Sequence, residues 1–360
     1  MKIKRLGLKN YRNCSEIELK FPTQKTLIIG KNAQGKTNIL ESVYFLSDLK
    51  SQRTSTVSDL IQFGQNQFEI NAEVLKNDTE IELDFLYTKD KKRELKVNKV
   101  KTSPKNFKLV VKTVLFSTND LMLVRGTPED RRNWLDRAIS QIYPAYDERL
   151  SKYDKIRIQK NNLLKNEVVD EALLEIYNEQ LAITGANIIY LRKKYLKEIE
   201  KIASEKHMLI SEQEKLSLNY ACPKEEVEDI AQYLREEFIE RRKEELGRRQ
   251  SCVGPHRDDI ELKINNTDAT KFASQGQQRT LVLSLKLSEL EIIKEKTGFY
   301  PILLLDDVLA ELDDVRQNYL LKSIDENIQT IITSVDTLLF EQEFLKDVTI
   351  YSVEKGVVRS

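Results

Sequence analysis

The stretch GKNAQGKT, residues 30–37, decides the fold prediction for this chain. It fits the pattern G-x-x-x-x-G-K-[ST] and follows the apolar run KTLII, residues 25–29. It precedes KTNILESVYFLS, residues 36–47, whose apolar residues recur at helical spacing. A buried strand, a glycine-containing loop and a helix in this order form the context in which the pattern binds phosphate. The sequence therefore predicts a nucleotide-binding P-loop.

Each residue type in this loop has a chemical reason to be there. Gly30 and Gly35 allow a tight turn whose backbone N–H groups surround a phosphate, beside the positive end of the following helix. Lys36 is expected to reach the β- and γ-phosphates of ATP, and the Thr37 hydroxyl to ligate Mg²⁺. The remaining nucleotide-binding candidates in this stretch are Lys31, Asn32, Ala33, Gln34 and Asn38.

The second informative stretch is ILLLDD, residues 302–307, a buried apolar strand that ends in two carboxylates. Such carboxylates are unfavourable in a core unless they meet a cation. We expect Asp306 to hold Mg²⁺, directly or through water. We expect Asp307 to orient or deprotonate the attacking water, which makes Asp307 and Lys36 the candidate catalytic residues.

A third stretch, SQGQQRT at residues 274–280, begins a long apolar helix. Ser274 is a good N-cap by residue type, and Gly276 permits close approach of a ligand to the backbone. By itself this pattern is more typical of an ordinary capped core helix, and only its position before the acidic strand favours a phosphate contact.

Around these motifs, the pattern of apolar and charged residues predicts an α/β protein with a helical insertion. Alternating segments at 3–9, 15–20, 68–75 and 80–87 predict hairpins, and 108–116, 301–307 and 330–334 predict buried strands. Thr127 as N-cap and Pro128 open a run of charged amphipathic helices. We therefore expect a discontinuous domain formed by residues 1–122 and 247–360, with a mostly helical domain, residues 123–246, inserted in it.

Composition excludes several function classes. Lys plus Arg and Asp plus Glu are both 58, so net charge gives no signal for nucleic acid or an anionic membrane. The sequence has no apolar run long enough to span a bilayer. Three widely spaced cysteines and two histidines argue against a disulfide framework or a zinc site, which favours a cytoplasmic location.

The order of P-loop, long insertion, Ser-x-Gly-Gln helix and acidic strand resembles the head domains of ABC-type ATPases, in the branch that contains SMC and DNA-repair proteins. The resemblance implies an ABC-type head, a P-loop NTPase with mixed sheets, in which ATP binding joins two copies. Ser274, Gly276 and Gln277 would then cover the nucleotide held by the other copy. In such heads an Arg after the first strand, here Arg12, can approach the nucleotide, although Arg12 could equally be a solvated arginine of the turn.

Within that branch, further segments resemble the bacterial recombination mediators over essentially the whole chain. They are MKIKRLGLKNYRN (1–13), VLFSTNDLMLVRGTPEDRRNWLD (114–136), GPHRDDI (254–260) and LLLDDVLAELDDVR (303–316). This resemblance implies a DNA-dependent ATPase that acts at single-strand gaps with RecO and RecR to assist RecA loading, and that hydrolysis releases from DNA. Asp307 in place of the usual Glu, and the lack of a His after TIITS (330–334), imply slow hydrolysis.

Two basic clusters are candidates for DNA binding. Residues 89–112 contain ten Lys or Arg and two Asp or Glu, and residues 241–250 form the second cluster, which continues to His256 and Arg257. Either cluster could neutralise phosphates with little sequence preference. The first could equally be a strand edge that lysines protect from aggregation.

Two alternative functions stay open at this stage. The first is a transporter ATPase subunit, disfavoured because about 240 residues separate Lys36 from Ser274 and no switch histidine is found. The second is a non-catalytic scaffold that nucleotide binding controls, in which hydrolysis is incidental.

Overall fold

The computed structural model describes residues 1–211, 213–222 and 229–359. These divide into two compact units: residues 1–120 with 285–360, and residues 121–284. In chain order the described strands are β1 (Lys2–Tyr11), β2 (Cys14–Lys20), β3 (Lys25–Ile29), β4 (Gln67–Lys76), β5 (Thr79–Thr88), β6 (Arg93–Val97), β7 (Val100–Lys101), β8 (Thr113–Ser117), β9 (Leu216–Ala221), β10 (Asp259–Ile264), β11 (Thr267–Asp268), β12 (Ile302–Asp306), β13 (Thr330–Ser334), β14 (Val348–Glu354) and β15 (Val357–Arg359).

The described helices are α1 (Lys36–Asp48), α2 (Pro104–Lys108), α3 (Met122–Arg125), α4 (Pro128–Ile142), α5 (Tyr146–Leu163), α6 (Glu171–Ser211), α7 (Ile230–Glu240), α8 (Arg242–Arg248), α9 (Ala269–Phe272), α10 (Gln275–Thr297), α11 (Asp314–Ser323) and α12 (Gln342–Leu345). Short 3₁₀ helices lie at Val57–Leu60, Thr118–Leu121 and Leu309–Glu311.

In the first unit, the described residues form two six-stranded sheets. One is antiparallel with the order β2-β1-β4-β5-β6-β7, and it contains both predicted hairpins. The other has the order β15-β14-β3-β13-β12-β8, and all its pairings are parallel except that of β14 with β15. The predicted buried strands KTLII, ILLLD and TIITS are confirmed at the centre of this second sheet, where both faces are covered.

Helix α1 shares one hydrophobic core with residues of both sheets. Phe45 of α1 packs edge-on against Phe85 of β5, with ring centroids 4.8 Å apart, while Ile28 and Leu304 of the parallel sheet belong to the same core. Because α1 follows the candidate P-loop directly, this packing fixes the helix end at which that loop lies.

The predicted strand over residues 108–116 is correct only in its second half. Ser103 caps α2 by accepting a hydrogen bond from the Asn106 backbone N–H, and Pro104 occupies the first helical position. The start signal therefore makes residues 104–108 helical, and the strand begins only at Thr113.

The second unit combines helices with a three-stranded antiparallel sheet in the order β11-β10-β9. Its helix α4 starts as predicted: Thr127 is the N-cap, Pro128 follows, and the Asp130 carboxylate accepts the Thr127 backbone N–H at 2.7 Å. Part of the expected helical run 224–246 lies outside the described residues, namely 224–228.

Strand β9 was not foreseen, and it pairs in register with β10 from Asp259–Ala221 to Ile264–Leu216. This pairing ties residues 259–264 to the second unit, which continues to residue 284, whereas the sequence analysis places the return to the first domain at residue 247.

Cys14, Cys222 and Cys252 are buried free thiols, and burial raises the pKa of Cys14 to about 12. Within the described part of the chain, none of the helices is long and apolar enough to cross a membrane.

Candidate nucleotide-binding site

The parallel sheet of the first unit brings the P-loop and the acidic strand together. Strand β13 lies between β3 and β12, with Thr333 in register with both Ile28 and Asp306. The chain leaves β3 into the loop and leaves β12 at Asp306, so both reach the same carboxyl edge of the sheet. Ligands of open α/β sheets bind at this edge.

Lys36 is held inside the loop that it follows. Its side chain is 3% exposed, and Nζ donates to the carbonyl oxygens of Gly30 at 2.7 Å and Lys31 at 3.3 Å. The same ammonium lies 3.8 Å from a carboxylate oxygen of Asp307. The predicted cation and the predicted catalytic carboxylate are therefore neighbours.

Thr37 and Asp306 are bonded directly. The Thr37 hydroxyl donates to Oδ1 of Asp306 at 2.9 Å, and the Thr333 hydroxyl donates to the same oxygen at 2.9 Å. These are the two residues that the sequence predicted as magnesium ligands, although 269 positions separate them. Both offer hard oxygen atoms, the donor type that Mg²⁺ prefers.

The environment of Asp306 raises the pKa of its carboxyl above the ordinary value. Burial is the largest cause, because it disfavours the charged form, and the neighbouring Asp307 acts in the same direction. The hydroxyl donors Thr333 and Thr37 oppose this shift. A nearby cation would therefore stabilise this carboxylate in its charged form.

Asp307 occupies a constrained position at the end of β12. Its φ is +52°, and its backbone N–H donates to the Thr333 hydroxyl at 2.9 Å. Its Oδ1 is buried and has no hydrogen-bond partner among the described residues. At the end of TIITS, where no switch histidine follows, the Thr333 hydroxyl thus supplies a neutral hydrogen bond, and Asp307 keeps one oxygen available for a water or a ligand.

A cavity of about 330 Å³ opens beside these residues. Its lining includes Asn32, Thr37, Asp306 and Asp307 from the predicted set. It also includes residues that the sequence analysis did not single out, namely Glu41, Gln52, Arg53, Ser117, Thr118 and Asn119. Glu41 could have been found from its position four residues after Thr37, which places both side chains on one face of α1.

Arg12 does not line this cavity. It forms two hydrogen bonds with Glu41, from Nε at 3.0 Å and from Nη2 at 2.8 Å, and donates to the Asp59 carbonyl at 3.3 Å. In this structure Arg12 holds Glu41, which does line the cavity, and the approach of Arg12 to the nucleotide stays a prediction. Arg53 lies 3.8 Å from Glu41 and donates to Asn38 Oδ1 at 2.7 Å.

The two glycines of the loop stand where a side chain would collide. A Cβ at Gly30 would lie 2.4 Å from the Val353 carbonyl oxygen, and one at Gly35 would lie 2.9 Å from Asn13 Oδ1. Gly35 also has a φ of +116°, and Ala33 between them has a φ of +63°. Close packing and left-handed backbone both explain the glycine pattern.

Ser274, Gly276 and Gln277 belong to the second unit, at the start of α10. The Ser274 hydroxyl accepts from the Gln277 backbone N–H at 3.3 Å, and the Gln277 side chain accepts from the Ser274 backbone N–H at 2.8 Å. Gln277 also donates to Glu214 at 2.7 Å. This reciprocal cap shows the helix start that Ser274 predicted.

Known proteins resemble this chain over its full length. The family model described as the RecF/RecN/SMC N terminal domain matches residues 2–359. The DNA replication and repair protein RecF of Bacillus pumilus is 39% identical, covering 99% of this chain and 100% of that protein. That of Streptococcus gordonii is also 39% identical and covers 100% of both. The chain belongs to the RecF family.

Solved structures agree with this assignment. The structure described as the recombination mediator protein RecF-ATP in the RecFOR pathway is 36% identical, with a TM-score of 0.91 over 99% of this chain and 96% of that one. An Smc head bound to the C-winged helix domain of ScpA, 16% identical with a TM-score of 0.58, shares the fold. The predicted ABC-type head with its P-loop NTPase fold is confirmed, and the RecF family replaces the transporter alternative.

Proposed function

We propose that this chain binds ATP at its P-loop, pairs with a second copy through the bound nucleotide, and acts in recombinational DNA repair in the cytoplasm. The observation that carries the proposal is that the P-loop and the carboxylates at the end of β12 meet beside one cavity. There the Thr37 hydroxyl is bonded to Asp306 and the Lys36 ammonium faces Asp307. Its relative in the RecFOR pathway was solved with ATP, which supports the same ligand here.

The residues present fit a magnesium nucleotide. Lys36 would bind the β- and γ-phosphates, and Thr37 with Asp306 would hold Mg²⁺. Among the described residues, side chains of His, Cys, Asp and Glu form no group of three that could hold a metal by themselves. Thr37 and Asp306 would supply two of the ion's oxygen ligands, and phosphate oxygens and water the others, as is usual for Mg²⁺. When bound, it neutralises charge on the phosphates.

Slow hydrolysis follows from the groups around Asp307. Its Oδ1 is free to accept a hydrogen bond from water, but its other oxygen faces the Lys36 ammonium at 3.8 Å, so only one carboxylate oxygen is open to water. The only partner that β13 supplies to this residue is the neutral Thr333 hydroxyl, among the residues described. We propose that Asp307 orients the water and that turnover serves to release the protein from DNA.

The pairing role is assigned to the start of α10. Ser274, Gly276 and Gln277 would cover the nucleotide bound by the other copy, so that ATP is held between two chains. DNA at single-strand gaps and the proteins RecO, RecR and RecA are the proposed partners. The structural relative that is 36% identical is itself described as a recombination mediator of the RecFOR pathway, which supports this assignment.

Titration with a fluorescent ATP analogue tests the ligand, because Lys36 is a single residue with a defined role. Lys36→Met should weaken binding by at least about a hundredfold. Lys31→Met should change binding little, because Lys31 contacts Lys36 through its backbone carbonyl, which the substitution keeps. Equal loss in both variants would contradict the assigned site. Hydrolysis by the intact protein should rise when DNA is added.

A further inference from the structure

Three distant segments of the first unit meet at the candidate P-loop. They are the turn between β1 and β2 at Asn13, the loop itself, and the turn between β14 and β15, which we call the C-terminal turn and which consists of Lys355 and Gly356. More than 300 residues separate the loop from the C-terminal turn. None of the motifs in the sequence analysis includes this turn.

Gln34, at the middle of the loop, is bonded to both other segments. Its side-chain Oε1 accepts from the Lys355 backbone N–H at 2.6 Å. Its backbone oxygen accepts from the Gly356 backbone N–H at 2.9 Å and from Asn13 Nδ2 at 3.3 Å. Asn13 in turn accepts from Asn38, at the start of α1, at 2.7 Å. Every donor from the C-terminal turn is a backbone N–H group.

Close packing accompanies these bonds. A Cβ at Gly356 would lie 2.3 Å from the Asn13 carbonyl oxygen, and a Cβ at Gly30 would lie 2.4 Å from the carbonyl oxygen of Val353 in β14. Gly356 and Gly30 therefore each stand where another part of the backbone comes too close for a side chain. Gly356 also has a φ of +76°, in the left-handed region that favours glycine, and its N–H donates to the loop.

We propose that the C-terminal turn is a clamp that holds the P-loop in its binding conformation before nucleotide arrives. A glycine-containing loop loses conformational freedom when it closes on phosphate, and a loop that is already held loses less. The clamp fixes the Gln34 carbonyl through the donors from Gly356 and Asn13. Asn13, Gln34 and Gly356 are positioning residues in this account, which rests on the proposed ATP binding.

The test compares two glycines with the same backbone strain. Gly356 and Gly298 have φ values of +76° and +77°, but a Cβ at Gly298 would meet nothing within 4 Å. Both Gly356→Ala and Gly298→Ala should lower the melting temperature through backbone strain, and Gly356→Ala should lower it further because its Cβ would meet the Asn13 carbonyl oxygen. Only Gly356→Ala should raise the Kd for Mg-ATP, by about tenfold, and speed amide exchange at residues 31–36 in the nucleotide-free protein.

Two further variants distinguish a loss of the clamp from a folding defect caused by Gly356→Ala. Asn13→Ala changes an exposed side chain, so it should fold, and it should raise the Kd about threefold by removing the bond to Gln34. Lys346→Ala changes another exposed side chain of the first unit, one outside the C-terminal turn, so it should bind as the wild type does. Unchanged affinity in both Gly356→Ala and Asn13→Ala, or equal weakening in Gly298→Ala, overturns the clamp. Failure of the wild type itself to bind ATP overturns the proposed function, and the clamp with it.

Discussion

The Thr37 hydroxyl joins the P-loop to the acidic strand, so it is the smallest group whose removal tests the site. Thr37→Val keeps the side-chain volume but removes the donor to Asp306 and the expected magnesium ligand. We expect ATP affinity in the presence of Mg²⁺ to fall at least about tenfold, with much less change when EDTA is present. Titration in the two buffers measures this difference.

Thr26 in the neighbouring strand β3 provides the matched control. Its hydroxyl is buried and has no hydrogen-bond partner among the described residues, so Thr26→Val should not affect ATP binding. It should stabilise the protein by about 1 kcal/mol, because a buried unpaired polar atom is removed. The account of Thr37 is contradicted if both variants bind Mg-ATP equally well.

Asp306 predicts a pH dependence of its own. Burial raises the pKa of this carboxyl, so the folded state binds a proton more readily than the unfolded state, and the ionised residue costs stability at neutral pH. Asp306→Asn should therefore stabilise the fold while greatly weakening Mg-dependent ATP binding. Binding by the wild type should weaken as the pH falls and this carboxyl takes up a proton, and chemical denaturation with ATP titration at a series of pH values checks both parts. A variant that is less stable than the wild type would contradict this explanation.

At the scale of elements, the GPHRDDI segment of the second unit contains two buried groups with opposite pH effects. Burial lowers the pKa of His256 to about 3. The hydrogen bond with the Ser251 backbone opposes this shift, and the positive charges of Arg157, Arg257 and Arg132 add to it. Its ring accepts from the Tyr153 hydroxyl at Nδ1 and donates to the Ser251 carbonyl from Nε2. Burial raises the pKa of Asp258 to about 6, against the hydrogen bond from Tyr220.

The signs of these shifts predict how stability depends on pH. Between pH 6.5 and 5 the unfolded state takes up a proton on His256 that the folded state does not, which removes about 2 kcal/mol of stability. Over pH 6 to 5 the folded state takes up a proton on Asp258, which returns about 1 kcal/mol. His256→Asn should therefore gain stability as pH falls to 5, and Asp258→Asn should lose more than the wild type. Urea denaturation at pH 7 and pH 5 measures the change in stability of each variant. If the stability of both variants changed equally between the two pH values, the assignment would be refuted.

The hairpin of β6 and β7 at the edge of the antiparallel sheet is the element we expect to contact DNA. Lys92, Lys99 and Lys101 are about four-fifths exposed, and their pairs with Asp90, Glu82 and Glu94 are of the weak surface kind. Changing all three to Glu should lower DNA affinity at least about tenfold and flatten its dependence on salt. The corresponding change of Arg241, Arg242 and Arg248 in the second cluster is the comparison. A larger effect there would move the DNA surface to the second unit.

Local signals explain which elements the sequence could predict. Gly30 to Thr37, the β12 carboxylates and the Thr127 cap each lie within a few residues of the apolar run that gives them context, and all three were placed correctly. The strand β9 was missed, although LSLNYA alternates, because its partner β10 begins 38 positions after β9 ends. The contacts of Gln34 with Lys355 and of Arg12 with Glu41 depend on the folded sheet, so no local pattern reports them.

At the scale of the whole molecule, the proposed function requires two copies of the chain. Each chain has the P-loop cavity in its first unit and the Ser274 helix start in its second. Since the proposed cover acts on the nucleotide of the other copy, pairing should depend on ATP and on Ser274, and ATP binding should not depend on Ser274.

The most direct measurement is the mass in solution by light scattering, with and without ATP, for the wild type and Ser274→Arg. We expect the wild type to change from 42.0 kDa to twice that mass when ATP and Mg²⁺ are added. Ser274→Arg should bind ATP with unchanged affinity and remain at 42.0 kDa. A wild type that stays monomeric at saturating ATP, or a Ser274→Arg protein that pairs as well as the wild type, would contradict the central claim.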